Sequence, residues 1–178
     1  MKAYLLLVCS AMLLLVGCRS TPPDSNVYTH RGSTGPDMDL TLDNLLESGE
    51  DRSYLVWLNA VRVRDGLWES RYYLEIRYEA ANDAGYMDIG PGETLTLTID
   101  GQDFGFTGPG SSESRTLTSR GTYVENAVYE CTPDDLRRIA QGNDIKVRVE
   151  GQSRKMYREF RPENIEKFRA FVLTYFGY

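Results

Sequence analysis

Glu75 and Glu79 in SRYYLEIRYEA, and Asp37, Asp39 and Asp43 in DMDLTLDNLLE, are the acidic residues whose spacing invites a chemical reading. A glycosidase needs two carboxylates facing each other across a cleft, one of them held protonated by its surroundings. Residues four apart on a strand instead stand side by side on one face, as on any solvated sheet surface. The three aspartates approximate the start of a calcium loop, but Leu42 stands where the turn needs glycine and Ser48 where a bidentate glutamate belongs. They read as solvated acids at the start of a short helix. His30 is the one histidine, and it lies in a segment rich in Ser, Thr, Pro and Gly. That argues against a Ser-His-Asp or Cys-His nucleophile and against a histidine-bound zinc. Cys131 has no histidine or basic cluster near it in sequence to lower its pKa, so it reads as a small residue at a strand end. GPGSSES is glycine-rich but lacks the lysine and following helix of a phosphate cradle, and reads as a hairpin loop. No catalytic residues are expected, and no metal or cofactor. The remaining chemistry is that of a surface. Arg71, Tyr73 and Arg77 fall on the polar side of one strand, and Tyr and Arg offer large contact area with hydrogen-bonding ends.

Positioning those residues calls for a sheet. In SRYYLEIRYEA, Tyr72, Leu74, Ile76 and Tyr78 alternate with the charged and aromatic residues of the opposite side, the pattern of a half-buried antiparallel strand. The preceding YLVWLNAVRVRD settles into Val61 and Val63 inward against Arg62 and Arg64, and the Asp-Gly between the two strands marks a hairpin. TLTLTID and DFGFTG form a second hairpin about Asp100-Gly101, and YVENAVYEC is a further strand. The period then changes. Thr132, Pro133, Asp134 and Asp135 open a helix whose apolar face is Leu136, Ile139 and Ala140 and which Gly142 ends. DIKVRVEG alternates again and pairs with RKMYREF. Ile165, Phe168, Phe171, Val172, Tyr175 and Phe176 then stripe a last helix that begins at Pro162. Strands, a helix, a hairpin and a final helix argue an α+β fold: an antiparallel sheet or small sandwich with about two packed helices, one of them C-terminal.

The chain opens with Lys2 and then an apolar run from Ala3 to Val16, broken by Cys9 and Ser10. This is the charged and apolar pair of an export signal, short for a bilayer span of roughly 20 residues. The run ends in Leu15-Val16-Gly17-Cys18, which resembles the lipobox of bacterial lipoproteins. The resemblance covers the first 20 residues and implies cleavage before Cys18, which becomes the acylated (palmitate-bearing) first residue. Several acyl chains on one residue anchor far better than one, at about 0.8 kcal/mol per buried methylene. Arg19, not Asp, follows the cysteine. By the sorting rule of enteric bacteria that implies an outer-membrane anchor facing the periplasm, with the inner membrane second.

Residues 1–17 are thus expected to be a signal peptide, 18–50 a lipidated flexible tether with a short helix near 40–48, and 51–178 one globular domain. Removing the one lysine of the signal from the chain's 20 Lys and Arg leaves 19 against 26 Asp and Glu, a formal charge of −7. That balance argues against nucleic acid as a partner and against an added electrostatic hold on anionic lipid. Cys9 leaves with the signal and Cys18 carries lipid, so Cys131 has no partner for an internal disulfide. The sequence therefore points to a non-catalytic cell-envelope lipoprotein whose domain contacts another protein or its own copy. A glycan-binding module, with Tyr73 and the flanking arginines against a sugar such as peptidoglycan, and an inhibitor of a periplasmic hydrolase are the alternatives.

Overall fold

The longest stretch of alternation builds the centre of the molecule. Strands β3 (Tyr54–Asp65) and β4 (Glu69–Ala80) pair antiparallel over their whole length, from Tyr54↔Ala80 to Asp65↔Glu69. The computed structural model describes residues 27–30, 37–41, 44–47, 53–65, 69–81 and 83–177, so the signal segment, Cys18, Asp43 and Ser48 lie outside the described residues. β8 (Tyr123–Cys131) and β7 (Arg115–Leu117) extend the sheet beyond β4, while β2 (Asp37–Thr41) and β1 (Val27–His30) extend it beyond β3. The order is β1-β2-β3-β4-β8-β7. A second antiparallel sheet runs β10-β9-β5-β6, from β5 (Gly92–Ile99), β6 (Gln102–Gly108), β9 (Ile145–Glu150) and β10 (Lys155–Glu159). The β5–β6 hairpin turns on Asp100 and Gly101 at φ 49° and 85°, the two left-handed positions of a tight primed turn. The fold is α+β.

The two sheets face each other across one apolar core, in which Leu58, Leu74, Ile76 and Tyr78 of the first sheet meet Leu95, Leu97, Val147 and Val149 of the second. Both margins close. Along one, residues 44–47 pass from sheet to sheet: Leu58 N donates to Asn44 O and Leu46 N to Val56 O at 3.2 and 2.9 Å, then Glu47 N donates to Glu159 O at 2.9 Å. Along the other, Gly108 lets β6 press on β8, where a Cβ would lie 2.6 Å from Val128 O.

Two helices seal one end. α1 (Pro133–Gln141) starts with a reciprocal cap, Thr132 Oγ1 accepting from Asp135 N and Asp135 Oδ2 accepting from Thr132 N. α2 (Pro162–Phe176) buries Ile165, Phe168, Phe171 and Val172, and its Arg169 Nε donates to Ala140 O at the end of α1. Among the described residues no helix is long and apolar enough to cross a membrane. Residues 83–91 close the opposite end, tied down by Glu125, a fully buried carboxylate. It accepts from Met87 N at 2.7 Å, Asp88 N at 3.2 Å and Ile89 N at 2.8 Å, and from the Ser111 hydroxyl, with Arg115 Nη2 at 3.6 Å.

Four expectations are corrected here. Residues 40–48 hold no helix among those described: β2 and its bridging continuation are extended, and Thr41, Asn44 and Asn164 form a buried polar relay from α2 to the Ala60 amide. The globular unit therefore takes in strands before residue 51. Val61 and Val63 point outward and Arg62 and Arg64 inward, since they share the side of buried Leu58 and Ala60. The inward arginines meet Asp39, at 3.5 and 3.7 Å, and Arg62 also stacks over the Tyr175 ring. GPGSSES is a crossover from the second sheet to the first, with Ser111 buried against Glu125, and not a hairpin.

Candidate functional site

The outward side of the six-stranded sheet carries Arg71, Tyr73, Glu75, Arg77 and Glu79 because their even-numbered neighbours enter the core. The register then decides what stands beside each. Tyr73 lies between Val61 and Glu130, and Arg77 between Trp57 and Asn126. Arg71 pairs across to Val63, with Met38 one strand further. Glu75 lies between Asn59 and Val128, and Glu79 between Leu55 and Val124. The structure thus places Arg71, Tyr73 and Arg77 on one face, as expected. It adds an apolar partner set that the single strand does not reveal, with Leu55 and Val128 exposed at 42% and 41%. Exposed apolar residues grouped on a sheet face mark contact surfaces.

The charged groups on this face are held by local partners. Arg77 Nε donates to Glu79 Oε1 at 2.9 Å, and its guanidinium stands 5.8 Å from the Trp57 ring. Asn59 Nδ2 donates to Glu75 Oε2 at 3.2 Å. Glu75 and Glu79 sit four residues apart on a straight strand, about 13 Å between their backbones. A glycosidase pair stands at roughly 5–9.5 Å. These two carboxylates are sheet-face acids, each bonded to its neighbour.

The other residues with chemical potential are structural. Asp37 pairs with Arg64 at 3.1 Å and Asp39 is buried beside Arg62 and Arg64. Among the described residues no group of three or more His, Cys, Asp and Glu is placed to hold a metal ion. His30 lies in β1. Cys131 is buried at the end of β8, and its thiol pKa is pushed up, first by burial and then by the nearby charges of Asp135 and Glu130. Burial also raises Tyr129 to about 12, aided by the Glu125 charge and opposed by the hydrogen bond with Thr94. Tyr175 reaches about 12 by burial and by Asp39, with Arg62 and Arg64 opposing.

Comparison with protein-family models, with curated proteins and with solved structures finds no match to this chain. Two features escaped sequence reasoning. Glu125 shares the core-facing side of Ala127, Tyr129 and Cys131, and the groups that satisfy it there, residues 87–89 and Ser111, come from outside its strand. The outer face of the four-stranded sheet sets Tyr157, Lys146 and Arg148 of the β9–β10 hairpin beside Thr98 and Asp103 of β5 and β6, a pairing that is not local, and no motif announces it.

Proposed function

We propose that this chain is a non-catalytic cell-envelope lipoprotein whose domain docks a protein partner through the outer face of the six-stranded sheet. The observation that carries the reading is the apolar content of that face: Leu55 and Val128 are exposed on the strands flanking β4, with Trp57, Val61 and Tyr73 near them and Arg77, Glu75 and Glu79 interleaved on β4. Aromatic and aliphatic anchors interleaved with arginine and carboxylate suit a protein surface, where the anchors supply most of the binding energy and the polar groups set orientation. A sugar chain offers few large apolar groups to fill such a face. The membrane attachment rests on Leu15-Val16-Gly17-Cys18, and Arg19 favours the periplasmic side of an outer membrane.

In-cell photocrosslinking from position 73 of the full-length chain, followed by mass spectrometry, tests the docking surface. One reproducible protein adduct, lost in Leu55→Asp and Val128→Asp, is expected. Adducts equally abundant from position 155 on the opposite sheet would refute a dedicated face. For the anchor, Cys18→Ser is expected to abolish palmitate labelling and leave unprocessed precursor. Continued labelling of that variant would overturn the lipoprotein reading.

A further inference from the structure

The outer face of the four-stranded sheet is chemically unlike that of the six-stranded one. Antiparallel pairing lines up Glu159, Lys146, Thr98 and Asp103 in one row across its four strands. The next row is Tyr157, Arg148, Thr96 and Gly105. Over these rows lies an open cavity of about 420 Å³, within the roughly 300–1,000 Å³ of small-ligand sites. Tyr157 is 63% exposed, and it is the one aromatic side chain among the large exposed apolar groups of the described residues. Thr98 and Asp103 line the cavity floor, with Lys146 and Arg148 on the strand between them and Tyr157. The result is an exposed aromatic side chain beside a floor that carries a hydroxyl and charges of both signs.

We propose that this groove binds a short stretch of an uncharged oligosaccharide built of equatorially substituted pyranose rings, with Tyr157 as the stacking platform. Three features converge on that class. The electron-rich face of an aromatic ring attracts polarised C–H bonds, and only sugars with equatorial substituents present a flat C–H face to it. The lining carries charges of both signs with no positive excess: Lys146 and Arg148 stand against Glu47, Asp103 and Glu159, while the guanidinium of buried Arg158 lies over the Tyr54 ring. A polyanion or acidic peptide would call for a positive excess, whereas vicinal hydroxyls, donor and acceptor at once, match an alternation of guanidinium and carboxylate. The side chains are also held in place with capacity to spare. Arg148 Nη2 donates to Thr96 Oγ1 at 3.1 Å and Thr98 Oγ1 donates to Asp103 Oδ1 at 2.6 Å. A guanidinium has five N–H donors and a carboxylate about four acceptor positions, so each retains some for a ligand. The site lies on the sheet opposite the protein-docking face and does not depend on it.

Calorimetric titration of the full-length chain with chitotetraose and with cellotetraose tests the inference. Saturable binding of at least one is expected, weakened about tenfold in Tyr157→Ala, the ratio that a loss near 1.4 kcal/mol gives. Tyr157→Phe is expected to retain binding. Tyr157 is exposed, so its replacement leaves the core intact, and retained cooperative thermal unfolding verifies this. Leu55→Asp is expected to leave sugar binding untouched while removing the protein crosslink from position 73, so each surface fails or stands by its own variant. Absence of binding by both sugars at their solubility limit overturns the proposal. So does sugar binding that Tyr157→Ala leaves unchanged.

Discussion

Single side chains decide the ends of this sandwich. Glu125 satisfies three backbone N–H groups of residues 87–89 from a position of 0% exposure. Removing it strands those donors and leaves Arg115 short of a partner, so Glu125→Ala is expected to cost about 3 kcal/mol. Urea unfolding measures that cost, and hydrogen exchange at Met87 and Ile89 should accelerate with it. A loss under about 1 kcal/mol would mean water replaces the carboxylate and the network is dispensable. The two elevated tyrosines give a second test. Burial keeps Tyr129 and Tyr175 neutral, with folded values raised from 10.0 to about 12. The stability each contributes is complete below pH 10 and disappears as pH climbs through about 12, because the unfolded chain gives up its protons first. The urea midpoint should therefore fall across that window. In Tyr129→Phe the decline should be shallower. An unaltered pH profile in that variant would show that the buried phenol is not what titrates.

At the scale of elements, local signals succeed where they are self-contained. The cap of α1 is readable because Thr132, Pro133 and Asp135 act within one turn, and Thr132→Ala is expected to cost about 1 kcal/mol in thermal unfolding. The alternation of β4, β5 and β9 is equally plain, since each strand has one face in the core. YLVWLNAVRVRD misleads for a physical reason. The inside at Arg62 and Arg64 is set by α2, which arrives a hundred residues later with Tyr175, and by Asp39 from β2. Charge faces in and valine faces out, which local hydropathy reads backwards. DMDLTLDNLLE satisfies both periods, Leu42, Leu45 and Leu46 fitting a helix and Met38 and Leu40 a strand. Pairing with β3 selects the strand. Of the candidate surface, the Arg71, Tyr73 and Arg77 stripe is visible in one strand, but Leu55, Trp57 and Val128 join it only through register across β3 and β8.

The described residues form a core between two unlike outer faces, apolar and charged side chains interleaved on the six-stranded sheet, an exposed tyrosine with hydroxyls and both charge signs on the four-stranded one. Their floors back onto the same buried Leu, Ile and Val layer, but the outward side chains share no contacts across it. Energetic independence follows, since separated surface sites that share no partners add within about 0.5 kcal/mol. Leu55→Asp sets a carboxylate opposite Glu79 and should cost about 1 kcal/mol, Tyr157→Ala about 1 kcal/mol or less through lost strand propensity, with the double variant at their sum. Binding should separate just as cleanly, Leu55→Asp removing the protein crosslink with sugar affinity intact and Tyr157→Ala doing the reverse. A double variant that loses several kcal/mol more than the sum would mean the sandwich transmits strain from face to face. The two surfaces would then be one coupled site, and an occupant on one sheet would alter affinity on the other.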